Sequence, residues 1–209
     1  MASLPLLYTY RRCPYAMRAR MALLKAGVVF DVHEISLKQK PAEMFAASPK
    51  GTVPVLILPS GAVIEQSLEI MRWAFEERDS GGWWANSLTP ANQALIALND
   101  GAFKQQLDRY KYPQRFPAGD SAVNRIDAIN GMLQQLEQRL ALQAFLGGSQ
   151  ACAADVAIFP FVRQFRAVDP DWFDALPLSA THSWLQGWFA STLFADCMKK
   201  LPTDIRVTF

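Results

Sequence analysis

Hydrophobic and polar positions along this chain follow two periods in turn, and the change of period divides it. In the first eighty residues short apolar runs alternate with helical segments. Residues 4–8 form an apolar run that ends in a polar, arginine-bearing loop, and the alanine-, methionine- and arginine-rich stretch after Cys13-Pro14 reads as a helix stopped by Gly27. Residues 28–32 read as a second strand, and strand, helix and strand within about thirty residues make a βαβ unit. A polar loop over 34–40, a short helix over 41–47 and a hairpin of 55–58 with 62–64 around Pro59-Ser60-Gly61 follow. A third helix carries Leu68, Met71, Ala74 and Phe75 on one face.

Beyond Thr89-Pro90 the period is helical almost throughout. Residues 91–112 read as a long helix interrupted at Gly101 and ended by Pro113 and Pro117. Asp120-Ser121 caps the next helix, whose core stripe is expected at Ile126, Ile129, Leu133, Leu136 and Leu140. Trp184, Trp188 and Phe189 continue an apolar helical pattern, and the Asp79-Ser80-Gly81-Gly82-Trp83-Trp84 break reads as an interdomain connection with its tryptophans packed in the interface. The pattern predicts an α/β domain over 1–79, a linker over 80–89 and an all-α domain over 90–209.

Composition changes this picture little. With 51% hydrophobic residues, 19% charged residues and a net charge of +2, the chain carries no signature of a nucleic-acid partner or of binding to an anionic membrane. No leader pattern and no apolar run near the ~20 residues needed to span a bilayer occur, so the expected location is the cytoplasm. Cys13, Cys152 and Cys197 are too few and too widely spaced for a disulfide framework or a paired-ligand zinc site, and His33 and His182 have no ligand partner at metal-binding spacing. No metal is expected.

Cys13 is the residue with chemistry. It stands between a strand, a loop and a helix start, at the expected N-cap, with Pro14 at the first helical position where its missing N–H costs nothing. Unpaired N–H groups of the first turn and the helix dipole stabilise an anion there, and Arg11, Arg12 and Arg18 add positive potential. The thiol pKa is therefore expected below its free value of ~8.5, which makes Cys13 a nucleophile rather than a buried apolar residue. Gln66 and Ser67 open the third helix. Helix capping is the ordinary use of such residues, and a second anion site is the functional one.

Three segments in this order carry a resemblance: Cys13-Pro14-Tyr15-Ala16 after the first strand, Ser48-Pro49-Lys50-Gly51-Thr52-Val53-Pro54-Val55-Leu56 with an expected cis peptide before Pro54, and Glu65-Gln66-Ser67-Leu68-Glu69-Ile70. Together they resemble the thioredoxin-like N-terminal domain of the glutathione transferase superfamily, followed by its all-α C-terminal domain. The resemblance implies glutathione as cosubstrate. Its cysteinyl part would pair with the backbone of Val53 beside Pro54, its γ-glutamyl carboxylate would sit at Gln66 and Ser67, and Lys50 would reach a carboxylate of the tripeptide.

The Cys13-Pro14-Tyr15-Ala16 segment also resembles the glutaredoxin site with its second cysteine replaced, and so the omega-like, cysteine-type transferases. That implies monothiol exchange through a mixed disulfide with glutathione, as in deglutathionylation or dehydroascorbate reduction. Tyr8 and Tyr10 are read as packing residues. Asp155 with Cys152 resembles the capping motif of the family's buried helix, with a thiol in the place of the usual hydroxyl. Polar residues Asp108, Arg109, Tyr110 and Lys111 read as a solvated helix face in preference to a substrate wall. The alternatives are conjugation of electrophiles, with Cys13 only positioning glutathione, and a regulatory role like that of the stringent starvation protein A group. Family likeness implies a homodimer and leaves the acceptor substrate open.

Overall fold

The structure is a computed structural model that describes residues 3–116 and 121–209. It divides into two compact units, one made of the chain up to Gly81 with Ser191–Phe209, the other of Gly82–Ala190.

Strand β1 (Leu6–Thr9) is buried at every position, as a strand covered on both faces is. Helix α1 (Pro14–Ala26) follows, with Cys13 as N-cap and Pro14 at its first position. Gly27 ends it at φ +67°, and the N–H groups of Gly27 and Val28 return to the carbonyls of Leu24 and Leu23. Strand β2 (Asp31–Glu34) runs parallel to β1 in the register Leu6↔Asp31. It starts three residues later than the sequence pattern suggests, because residues 28–30 complete the exit from the helix stop before the chain reaches the β1 edge. Helix α2 (Ala42–Ala47) leads to strands β3 (Val55–Ile57) and β4 (Val63–Ile64), the expected hairpin. The peptide between Val53 and Pro54 is cis. Helix α3 (Ser67–Glu77) buries Ile70, Met71, Ala74 and Phe75 and packs against α1.

The second unit opens inside the predicted linker. Gly81 and Gly82 both take positive φ, and α4 (Trp83–Ser87) begins at once. The edge of Trp83 meets Trp188 within this unit. Helices α5 (Pro90–Leu98) and α6 (Lys104–Lys111) are one rod, joined through a π-helical turn at Asn99–Phe103 that contains Gly101. Pro117 and Asp120 lie outside the described residues, as does the side chain of Ser121.

Helices α7 (Ser121–Ala128) and α8 (Gln134–Leu140) are joined by a second π-helical turn, Ile129–Leu133. This corrects the predicted stripe. Leu133, Leu136 and Leu140 are core, but Ile126 is 52% exposed, and Ala128 and Met132 are buried instead. A π turn inserts a residue and rotates everything before it by about 100°, so a 3.6-residue count carried through it lands on the wrong face. Helix α9 (Ala153–Arg166) is buried along nearly its whole length, and α10 (Pro170–Asp174) and α11 (Ser179–Phe189) pack on it.

Asp155 is the anchor of this unit. Its carboxylate is fully buried and accepts from the backbone of Cys152 at 2.9 Å, the backbone of Leu146 at 3.0 Å and the Trp184 indole at 2.8 Å. Cys152 is the N-cap of α9, so the thiol itself stands at the cap position of the motif. The capping residues are completed by Asn92, which donates to the Leu146 carbonyl and accepts from Arg139.

The chain then returns to the first unit. Helix α12 (Thr192–Cys197) packs against α1, and β5 (Arg206–Thr208) pairs antiparallel with β2. Among the described residues the sheet order is β4-β3-β1-β2-β5. The helical domain therefore ends at Ala190 and not at Phe209, because β2 leaves a pairing edge that the last residues fill and because the Phe209 ring stacks on Phe30 at 5.5 Å. No described helix is long and apolar enough to cross a membrane.

Candidate active site around Cys13

Cys13 is held at its place by a turn. Its N–H donates to the carbonyl of Tyr10 at 3.0 Å, and its own carbonyl takes the first helical bond, from Met17 at 2.8 Å. The side chain is half-buried, and Sγ lies 3.7 Å from the carbonyl oxygen of Val53, close enough for an S–H···O contact. Val53 is the residue before the cis peptide, packed against the small core of Leu6, Tyr8, Ile35, Met44 and Val55. Pro54 directly precedes β3, and the Val53 carbonyl faces the thiol.

Ser67 is the first residue of α3 and is buried, and its hydroxyl accepts from the guanidinium of Arg18 at 3.2 Å. Capping is therefore not its role. Gln66 is exposed at the N-cap and makes no side-chain capping bond, so the helix end is left presenting its amides. Just before it, Glu65 accepts from the Ser48 hydroxyl and pairs with Lys50 at 3.2 Å. The hydrogen bonds from Ser48 and then from Lys50 hold the Glu65 carboxyl below its ordinary range. Lys50, read from sequence as a ligand for a carboxylate, thus already faces one.

The supposed packing residues are packing residues. Tyr8 is 1% exposed with its ring 5.1 Å from that of His33, and burial pushes its hydroxyl above the ordinary tyrosine range. Tyr10 leans on the same core. Of the other thiols, Cys197 is buried with Sγ toward the Met17 carbonyl, and burial beside Asp155 pushes the Cys152 thiol up to about 12. In the second unit Tyr110 is core against Phe165 and Trp172, Asp108 pairs with Lys104, and Arg109 is at the surface over Phe116. Among the described residues no cluster of three His, Cys, Asp or Glu side chains stands close enough to hold a metal ion.

Two family models match the chain, the glutathione S-transferase N-terminal domain over residues 7–82 and the glutathione S-transferase C-terminal domain over residues 93–191. The chain belongs to the glutathione S-transferase family. It is 24% identical over 163 residues to glutathione S-transferase omega-1 of Mus musculus, a match that covers 78% of this chain and 67% of the mouse protein. It is 30% identical over 170 residues to the probable glutathione S-transferase BZ2 of Zea mays, covering 75% and 72%. The solved glutathione transferase URE2P6 from Phanerochaete chrysosporium, in complex with oxidized glutathione, shares the fold at a TM-score of 0.76 and 17% identity, over 93% of this chain and 94% of that one.

In this glutathione S-transferase, sequence reasoning named Cys13, Val53, Pro54, Gln66, Ser67 and Lys50 as candidates and passed over the buried charged residues around them. It counted Arg18 as a source of positive potential and passed over Arg20, yet both are buried, at 0% and 1% exposure. A signal was present. Positions two apart on a helix point about 200° away from each other, so no single solvated stripe accommodates both arginines. One at least had to face the interior.

Proposed function

We propose that this protein is a glutathione-dependent thiol transferase in which Cys13 is the nucleophile. Membership of the glutathione S-transferase family supports glutathione as cosubstrate. In this reading the backbone of Val53 pairs with the cysteinyl part of glutathione. The open amides at Gln66 and Ser67 take the γ-glutamyl carboxylate, and Lys50, shared with Glu65, adds a cation nearby. The Cys13 thiolate attacks the glutathione sulfur of a mixed disulfide. The new bond joins Cys13 to glutathione, and the acceptor leaves as a thiolate that takes up a proton. The thiolate of a second glutathione then attacks the bound glutathione sulfur, forming glutathione disulfide and returning Cys13 as thiolate.

One observation carries the reading. The only thiol at the start of α1 is half-buried, 3.7 Å from the Val53 carbonyl, at the backbone edge where a peptide substrate would pair. Cys13-Pro14-Tyr15-Ala16 has no second cysteine to close an internal disulfide, so a second glutathione resolves the adduct.

The test is intact mass after incubation with glutathione disulfide, for the wild type and Cys13→Ser, before and after adding reduced glutathione. A single adduct of one glutathione on the wild type alone, removed by reduced glutathione, is expected. Absence of the adduct while Cys13 remains open to a small alkylating agent overturns the mechanism and favours conjugation, with glutathione's own thiol as nucleophile.

A further inference from the structure

Two residues before Cys13, the backbone of Arg11 is gripped from both sides by charged side chains. The Arg11 N–H donates to Glu34 Oε1 at 2.6 Å, and the Arg11 carbonyl accepts from Arg20 Nη2 at 2.8 Å. Arg11 is the second residue of the turn closed by the Tyr10 carbonyl and the Cys13 N–H. Each of the two peptide planes that meet at the Arg11 Cα is thus held by a charged side chain, which leaves this corner of the turn little freedom in φ or ψ.

The gripping groups are themselves anchored deep in the unit. Arg20 is 1% exposed, and its other nitrogens donate to Thr9 Oγ1 at 2.5 Å and to the carbonyl of Cys197 at 3.2 Å. The guanidinium thus ties the end of β1, the end of α12 and the turn together. Glu34 is 9% exposed at the end of β2, and its backbone carbonyl accepts from Asp204 at 2.8 Å. The segment after residue 190 therefore reaches the turn at two points, through Cys197 and through Asp204. A lysine in place of Arg20 has no planar fork with which to serve three acceptors.

We propose that Arg20 and Glu34 are positioning residues that hold the Arg11 backbone on both sides of its Cα and thereby set where the Cys13 sulfur stands against the Val53 carbonyl and an incoming disulfide. The inference rests on Cys13 being the reactive thiol. Neither side chain touches the thiol in the structure. Their effect runs through the backbone of the turn. Sulfur-to-sulfur displacement needs three sulfurs in line, so a shift of about 1 Å in the turn is felt in the rate far more than in the affinity for glutathione.

The experiment compares the wild type with Arg20→Lys, Glu34→Ala, Glu34→Gln and Thr9→Val. It reads kcat and KM for a glutathionylated peptide, the rate of Cys13 alkylation by iodoacetamide from pH 5 to 9, and the melting temperature. The expected result is a kcat lower by about tenfold or more for Arg20→Lys and Glu34→Ala, with KM for the glutathionylated peptide within about twofold and a displaced alkylation profile. Glu34→Gln, which keeps an oxygen for the Arg11 N–H, recovers most of kcat relative to Glu34→Ala. Thr9→Val removes only one acceptor of Arg20 and gives a smaller fall in kcat in a folded protein, should the other variants not fold.

Unchanged kcat and alkylation profiles in folded variants overturn the inference. So does a kcat that falls only in step with the folded fraction. A wild type that forms no glutathione adduct overturns the reading of Cys13 instead, and it is recognised before any variant is made.

Discussion

The guanidinium of Arg18 donates to the hydroxyl of Ser67 over 3.2 Å with both side chains buried, so the helix that begins at Cys13 directly orients the residue that opens α3. The thiol and the amides proposed to take the γ-glutamyl carboxylate thus belong to one rigid pair of helices. Ser67→Ala leaves the Arg18 nitrogen without that acceptor and takes a hydroxyl from the proposed carboxylate site. Hydrogen bonds to charged groups contribute about 1.5–3 kcal/mol, so glutathione affinity should fall by about tenfold or more in titration calorimetry. An affinity equal to that of the wild type would place the γ-glutamyl group elsewhere.

Alkylation separates the three thiols. Cys13 is half-buried, whereas Cys152 and Cys197 are buried and the Cys152 thiol is pushed up to about 12. Iodoacetamide at pH 7.5 should add one label to the native wild type, none to Cys13→Ser, and three to the unfolded wild type. Peptide mapping reads this directly. Label on Cys152 in the native protein would contradict the burial.

Asp155 holds three N–H donors in a fully buried place, and burial pushes its carboxyl above the ordinary range against the pull of those donors. Asp155→Ala strands all three. A loss of about 3–5 kcal/mol is expected, read as a fall of roughly 10 °C in melting temperature. Cys152→Ser at the cap of the same helix replaces a weak acceptor by a good one and should leave stability equal or raise it by up to about 1 kcal/mol. A melting temperature for Asp155→Ala within a degree of the wild type would mean that the network contributes nothing.

Glu34 makes stability depend on pH. Burial raises its carboxyl above the ordinary value of 4.5, and the Arg11 amide and the charges of Arg20 and Arg11 offset only part of this. From 4.5 up to that raised value the folded chain keeps a proton that the unfolded chain has lost. Stability contributed by the group is therefore complete below 4.5 and falls as pH rises through the folded value. Glu34→Gln has no such proton. In urea unfolding, its stability relative to the wild type should improve from pH 4 to pH 7, and a difference that stays constant over that range would exclude the raised titration.

Much of the first unit was legible because its signals are local. Pro14 at a helix start, Gly27 at a helix stop, Pro59-Ser60-Gly61 in a hairpin and Val53-Pro54 ahead of a strand each constrain φ or a hydrogen bond within a few residues. The helical stripe of the second unit was legible only from Leu133 onward, because the π turn that displaces Ile126 leaves no mark on the count of apolar positions. The contacts of Arg20, Glu34 and Glu65 were missed. Each looks like an ordinary charged surface residue until its partner, remote in sequence, is beside it.

By itself the sequence determined the two kinds of domain, the place of Cys13 at a helix start and that of Gln66 and Ser67 at the opening of the third helix, since each follows from the stereochemistry of neighbouring residues. Only the tertiary structure decided that Arg18 and Arg20 turn inward, that Ser67 serves Arg18 instead of capping its helix, and that the chain after Ala190 returns to the sheet. The reason lies in the separations. Arg20 and the Cys197 carbonyl stand 177 residues apart in the chain, and β5 pairs with β2 over a comparable span. Contacts of that kind are set by which surfaces remain to be covered once the local elements have formed, and one-dimensional periodicity does not contain that information.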